Sequence, residues 1–187
     1  MLRPASEADY PVIRELIVDG AAAGSFDAQL AHPTQASAEF FGRVRQVIQK
    51  RVWLRPDVSK RMLWAIPACI WIFEDPAWGL GPLGFVAVRG AGRIGYELWL
   101  ATIELAYRQK GAGKKMIGEV LATSIGPQVV VAQCDRRAEG ARRMASILRH
   151  FGFECLREGT QSEWLARSTL PPLVKDWMRS APLSGPT

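Results

Sequence analysis

The chain has 187 residues, a length that suits one domain with a well-buried core. Its hydrophobic share is 48% and its charged share 22%, which excludes a disordered or fibrous chain. Lys and Arg total 24 against 18 for Asp and Glu, and the resulting +6 favours anionic partners: a phosphate-bearing cofactor, an acidic substrate or nucleic acid.

Residues 2–4 read as a short strand. Ser6, followed by Glu7 and Asp9, is a helix start, with a capping hydroxyl and acids in the first turn. Val12, Ile13, Leu16 and Ile17 recur at helical spacing, and Gly20 is the predicted stop. Residues 21–37 have little periodicity and read as a flexible connection. A second helix is predicted over about 36–50, with Phe40, Phe41, Val44 and Val47 on one face.

The stretch "DVSKRMLWAIP" leaves helix and strand open. "ACIWIFED" is β-branched and aromatic, hence a strand, and "DPAWGLGP" is a turn. "LGFVAVRG" and "IGYELWLATIEL" are two more strands, separated by "GAGR". Residues 113–123 form a helix with Met116, Ile117, Val120 and Leu121 on its core face. "PQVVVAQC" is an uninterrupted apolar strand of the kind covered on both faces. A helix over 137–150 carries the stripe Ala141, Met144, Ile147 and Leu148, and "FECLRE" with "SEWLARS" make a terminal strand pair. The reading is one mixed α/β domain around one sheet, spanning 1–168, followed by a short helix and flexible tail over 169–187.

Three cysteines, Cys69, Cys134 and Cys155, sit at spacings that match no metal motif, and with only two histidines, His32 and His150, no metal is expected. "MLRPASEADY" lacks the apolar region of a signal peptide. The longest apolar run, 62–73, is too short to span a bilayer and contains Pro67. The expectation is a cytoplasmic location with no membrane partner.

Two glycine patterns compete for a phosphate. "GAGRIG" at 90–95 fits G-x-G-x-x-G, but a strand follows it where a dinucleotide site needs a helix, so Gly90 and Gly92 read as a hairpin turn. "RQKGAG" at 108–113 lies between a strand and an amphipathic helix. It is not a Walker A loop, because the spacing is wrong and Met116 follows the lysines. Gly111 and Gly113 let the backbone approach a ligand, and the amides at the helix start favour an anion. An anion there explains why Arg108, Lys110, Lys114 and Lys115 crowd a helix end that otherwise repels cations. The competing reading is an ordinary turn with a solvated basic face.

At these residues the chain resembles the GNAT superfamily of N-acyltransferases. Arg108-Gln109-Lys110-Gly111-Ala112-Gly113 is similar to the family's Q/R-x-x-G-x-G/A motif, and "IELAYRQKGAG" to its longer run, with Leu105 where proline is common. "ILRHFGF" at 147–153 is similar to the family's helix ending in "GF". The resemblance covers roughly residues 2–168. It implies a mostly antiparallel sheet of six to seven strands with helices on both faces. It also implies acetyl-CoA, or another acyl-CoA, as donor. Amides of Arg108, Gln109, Lys110, Gly111, Ala112, Gly113 and Lys114 would hold the pyrophosphate. Main-chain groups of Ala101, Thr102 and Ile103 would pair with the pantetheine arm where the fourth and fifth strands splay, and an amide near Ala101 or Ile103 would face the thioester oxygen.

Acyl transfer to an amine needs a base for its proton. Glu97 and Glu104 are the carboxylates on the strand before the motif, and their flanks "YELWL" and "TIELA" predict partial loss of water around both. The resemblance places Glu97, eleven residues before Arg108, at an offset where some members carry a catalytic glutamate. The family's usual acid is a tyrosine four residues before the glycine of "GF", and Leu148 stands there. The chain has no asparagine, so the helix amide that many members place on pantetheine is also missing, with Ala141 in its position. Tyr107, Tyr96, Cys134 and His150 are the substitutes for the acid. The acceptor is expected to be an amine-bearing small molecule or protein, and the resemblance allows a homodimer. Two rival readings are an acyl-CoA-binding module without chemistry and a basic nucleic-acid-associated protein built on Arg136, Arg137, Arg142, Arg143 and Arg149. Nucleic acid is not the expected partner, since no known binding signature is present.

Overall fold

The computed structural model describes residues 1–57, 62–91, 95–125, 129–135 and 139–167. The elements run β1 (Leu2–Pro4), α1 (Tyr10–Ala22), α2 (Gln35–Lys50), β2 (Val52–Asp57), β3 (Met62–Glu74), β4 (Pro82–Gly90), β5 (Tyr96–Ile103), α3 (Ala112–Glu119), β6 (Val130–Asp135), α4 (Glu139–His150), β7 (Phe153–Glu158) and β8 (Ser162–Arg167). The expected terminal helix and tail, Gly92 of the hairpin, and Arg136 and Arg137 lie outside the described residues.

One sheet of eight strands has the order β1-β3-β4-β5-β6-β8-β7, with β2 attached to the outer half of β3. Every pairing is antiparallel except β5 with β6. The count exceeds the expected six to seven because β2 was not anticipated. "VWLRPD" carries an arginine and a proline in a short run, and its apolar pattern is weak. It forms by pairing with Met62–Pro67, a stretch of β3 that β4 does not reach. Pro67 is tolerated inside this long strand for a related reason. Ala68 donates its amide to the Arg51 carbonyl on the β2 side, so position 67 turns its missing N–H toward the β4 side, where β4 ends.

Alternation along the central strands builds two apolar layers. Val86, Val88, Leu98 and Ile103 point toward α3 and α4, where Met116, Ile117 and Leu148 meet them. Phe85 and Ala87 point the other way, toward Ile13, Ile17, Val44 and Val47 of α1 and α2. Helices therefore cover both faces, as expected. α1 does not stop at Gly20 but runs to Ala22, with Gly24 at φ +70 just beyond. Gly20 is kept inside the helix because the Phe26 ring lies against it: a Cβ there would be 2.7 Å from Phe26 Cδ2.

The start of α1 is anchored by a buried carboxylate. Asp9 accepts from Arg3 Nη1 at 2.8 Å and Nη2 at 2.7 Å, and from Ser6 through both its amide and its hydroxyl. The Arg3 hydrogen bonds, helped by those from Ser6 and opposed by burial, hold the Asp9 pKa well below the usual carboxylate range. A depressed pKa contributes stability above the unfolded value, and that contribution disappears as pH falls. Asp9→Asn is therefore expected to lower unfolding free energy by about 2 kcal/mol at pH 7, a figure kept modest because Arg3 is partly solvated. Denaturant titrations should show the gap closing progressively below about pH 4. A gap constant down to the acid transition would remove Asp9 from the stability account.

Candidate active site

β5 leaves its neighbour partway along. It pairs with β6 only through Tyr96↔Val130, Glu97↔Val131 and Leu98↔Ala132. Beyond that point β6 pairs with β8 alone, through Gln133↔Trp164 and Cys134↔Glu163. The parting coincides with a bulge: Val88 faces Leu98 and Ala87 faces Leu100, which leaves Trp99 as the extra residue on β5. A wedge-shaped gap thus opens between β5 and β6 toward the C-terminal end of β5.

The edge of β5 facing this gap follows from one hydrogen bond. Glu104 donates its amide to the Leu83 carbonyl at 2.9 Å, on the β4 side. Successive residues of a strand point their main-chain groups to opposite edges, so Thr102 also faces β4, while Ala101 and Ile103 face the gap. Thr102 is a correction to the expected set, because its main chain is committed to the ladder with Phe85. Its hydroxyl instead accepts from Arg108 Nη2 at 3.2 Å.

The turn from β5 to α3 holds two residues in the left-handed region, Gln109 at φ 64 and Gly111 at φ 91. The Arg108 amide is engaged by the Leu105 carbonyl at 3.2 Å, so that member of the expected set is withdrawn from the anion. The Lys115 amide donates to the Gly111 carbonyl at 3.0 Å and begins the helical ladder. Among the described residues no protein carbonyl takes the amides of Gln109, Lys110, Gly111, Ala112, Gly113 or Lys114. Gly111 is exposed with nothing near its missing Cβ, whereas a Cβ on Gly113 would lie 3.4 Å from Ile147. Gly113 therefore faces α4 at ordinary contact distance, and Gly111 lies on the open side of the turn.

The crowded cations divide by role. Lys115 is tied to Asp75 at 2.6 Å, and Lys110 sits 5.6 Å from the centre of the Tyr107 ring. Lys114 is exposed. The Gln109 side-chain amide lies beside the Arg143 guanidinium of α4. Arg108 points inward: Nε donates to the Ile103 carbonyl at 2.9 Å and Nη1 to Ser25 Oγ at 3.1 Å. Burial, then the nearby Arg143, lowers the Arg108 pKa, with Asp19 opposing.

On the α1 and α2 face, Glu97 is half-buried and accepts from Arg89 Nε at 2.9 Å and Nη2 at 3.0 Å. The same guanidinium lies 5.6 Å from the Trp53 ring and 5.4 Å from the Trp99 ring. Arg89 takes one lone pair on each Glu97 oxygen, which leaves the others for a proton or an ammonium. Glu104 is exposed at the strand end, so the expected loss of water does not occur there. Tyr107 turns to the β3–β4 connection, where its hydroxyl lies 3.0 Å from the place a Gly79 Cβ would take. Leu148 is fully buried in the core, and so offers no acid. All three cysteines are free thiols whose pKa is raised by burial, Cys134 to about 12, which makes it too weak an acid for a departing thiolate. His150 ends α4, packed edge-on to Phe151.

Arg142 and Arg143 are exposed, but Arg149 pairs with Glu163 at 2.6 Å, so the basic face of α4 is partly neutralised. Cys155, Glu158 and Glu163 are the metal-capable side chains that group within 4.8 Å among the described residues, with Glu163 already bound to Arg149. The site groups that sequence reasoning missed are the Arg89 guanidinium and the Thr102 hydroxyl. Each acquires its role from a partner on another element, through a register that no local pattern encodes.

No protein-family profile matches the chain, nor does any curated protein. Solved structures do. An acetyltransferase of Corynebacterium glutamicum described as "histone acetyltransferase HPA2 and related acetyltransferase" has TM-score 0.60 at 18% identity, covering 92% of this chain and 97% of that one. A GNAT-family acetyltransferase of Bacteroides thetaiotaomicron has TM-score 0.58 at 16% identity, covering 95% and 92%. The PaiA N-acetyltransferase of Thermoplasma acidophilum, in complex with coenzyme A, has TM-score 0.56 at 12% identity, covering 89% and 97%. The fold of this chain is that of the GNAT acetyltransferases.

Proposed function

We propose that the protein is an N-acetyltransferase that moves an acetyl group from acetyl-CoA to a primary amine by direct attack. The observation that carries this reading is the edge of β5 where Ala101 and the Ile103 amide face the gap, continuous with a turn whose amides from Gln109 to Lys114 are taken by no protein carbonyl among the described residues. Coenzyme A bound in the PaiA relative supports the same donor. A diphosphate suits the turn, because six amides at a helix start, with the cations Lys110 and Lys114 among them, favour an anion. An extended amide arm suits the strand edge, and a gap-facing amide of Ala101 or Ile103 polarises the thioester carbonyl. Acetyl-CoA supplies an activated acyl group.

The acceptor approaches from the α1 and α2 face. Glu97 receives the amine proton on the lone pairs Arg89 leaves open and releases it to solvent. Glu104 and Tyr107 are secondary candidates, displaced by exposure and by orientation respectively. Tyr96 packs against the α3 and α4 layer and Cys134 is too weak an acid, and a thiolate leaves without one. Leu148 favours the second reading, an acyl-CoA-binding module without turnover.

Thiol release from acetyl-CoA across an amine library separates the two. The expected result is amine-dependent release, with Glu97→Gln lowering kcat about 100-fold while the KM for acetyl-CoA stays within about threefold. Tight acetyl-CoA binding with no release for any amine would establish the binding module instead.

A further inference from the structure

Arg108 sits where three parts of the molecule meet. Its guanidinium bonds to the gap-facing carbonyl of Ile103, to the Thr102 hydroxyl on β5 and to Ser25 in the segment after α1. Ser25 is itself wedged in place. Its amide donates to the Gly20 carbonyl at 2.7 Å, and its side chain lies so close to Gly140 at the start of α4 that a Cβ there would be 2.8 Å from Ser25 Cβ. Phe26 then covers Gly20 of α1, on the face where Glu97 lies. The stretch Ala23–Asp27 thus touches α1 and α4 and, through Arg108, reaches β5.

The tie is electrostatically incomplete. Among the described residues no carboxylate is in ion-pair contact with Arg108, and Asp19 supplies only a weak opposing attraction. The cation is taken partly out of water beside a second guanidinium, Arg143, and both effects disfavour it where it stands. The adjoining turn from Gln109 to Lys114 is the place where an anion would offset that imbalance.

We propose that Arg108 is a positioning residue that links the two halves of the site: an anion at the turn secures the guanidinium in its three-way contact and, through Ser25, fixes the Ala23–Asp27 segment. This rests on the donor reading given above. By linkage, a ligand that favours the tied arrangement must in turn be bound more tightly by it. Coenzyme A therefore orders the acceptor-side segment without touching it.

The test is amide hydrogen exchange over residues 22–31 with and without coenzyme A, with calorimetry for affinity, in the wild type and in Ser25→Ala. Ser25→Ala removes one hydroxyl from a half-buried site and leaves the turn intact. In the wild type, coenzyme A should slow exchange in the segment about tenfold. In Ser25→Ala, the slowing should fall below about twofold, and affinity should weaken by no more than the same tenfold factor. Ser25→Thr, which keeps a hydroxyl, should restore part of the response. Binding to the wild type without slowing in the segment, or an undiminished response in Ser25→Ala, overturns the tie but leaves the donor site standing. Absence of coenzyme A binding to the wild type overturns both.

Discussion

Gly111→Glu should abolish coenzyme A binding, whereas Gly111→Ala should weaken it only a few fold. Both variants share one penalty. Gly111 lies at φ 91, where an L side chain is strained by about 1–2 kcal/mol. Neither meets an obstacle, since nothing lies within 4 Å of the added Cβ. The difference between them is therefore the carboxylate, placed at the open side of the turn. Two unit charges 4 Å apart near a protein surface interact by about 4 kcal/mol. Screening and side-chain mobility reduce this, and a loss beyond about 100-fold relative to Gly111→Ala remains. Calorimetry with coenzyme A measures it directly. Equal affinity in the two variants would place the diphosphate somewhere other than this turn.

Gly84→Ala should strongly destabilise the molecule by adding a single methyl group. Gly84 faces Ile103 across the β4–β5 ladder. A Cβ there would collide with the Thr102 carbonyl and would stand 2.6 Å from Ile103 Cδ1 and 3.1 Å from Ile103 Cα. Two of these three atoms are backbone, so no rotamer change relieves the clash. The expected loss is about 3 kcal/mol, seen as a fall in Tm of about 6–12 °C. Because relief requires β5 to move at Ala101–Ile103, coenzyme A affinity should fall as well. Gly42→Ala is the matched control. Gly42 lies on the exposed face of α2 with nothing within 4 Å, and alanine there should stabilise by about 0.5–1 kcal/mol. A Gly84→Ala protein as stable as the control would show that β4 and β5 are more loosely paired than the register implies.

The two glycines also illustrate what the chain announces and what it conceals. Gly111 was legible, because "RQKGAG" between a strand and an amphipathic helix is a local pattern with a local cause. Gly84 was not, because its constraint lies on another strand. The same distinction runs through the fold. Helices α2 and α4 were read from periodicity and fell within two residues of their predicted limits. The hairpin of β2 with β3 escaped notice because its pairing, rather than its composition, makes it a strand. The bulge at Trp99 was hidden by "LWL", where every residue is apolar and a slip in phase leaves no mark. At the site, Glu97 could be nominated from its position, but Arg89 could not, since their pairing depends on a register set across the turn that joins β4 and β5.

The state of the cysteines has a practical corollary. Cys134 is closed off, Cys69 is contacted by the Arg51 guanidinium at 3.1 Å, and all three thiols are shifted toward the protonated form. Protonated sulfur is a poor nucleophile toward disulfide reagents. A chromogenic reagent present throughout the reaction should record the liberated cofactor second by second, over a background that comes from the half-buried Cys69 and Cys155 and not from Cys134.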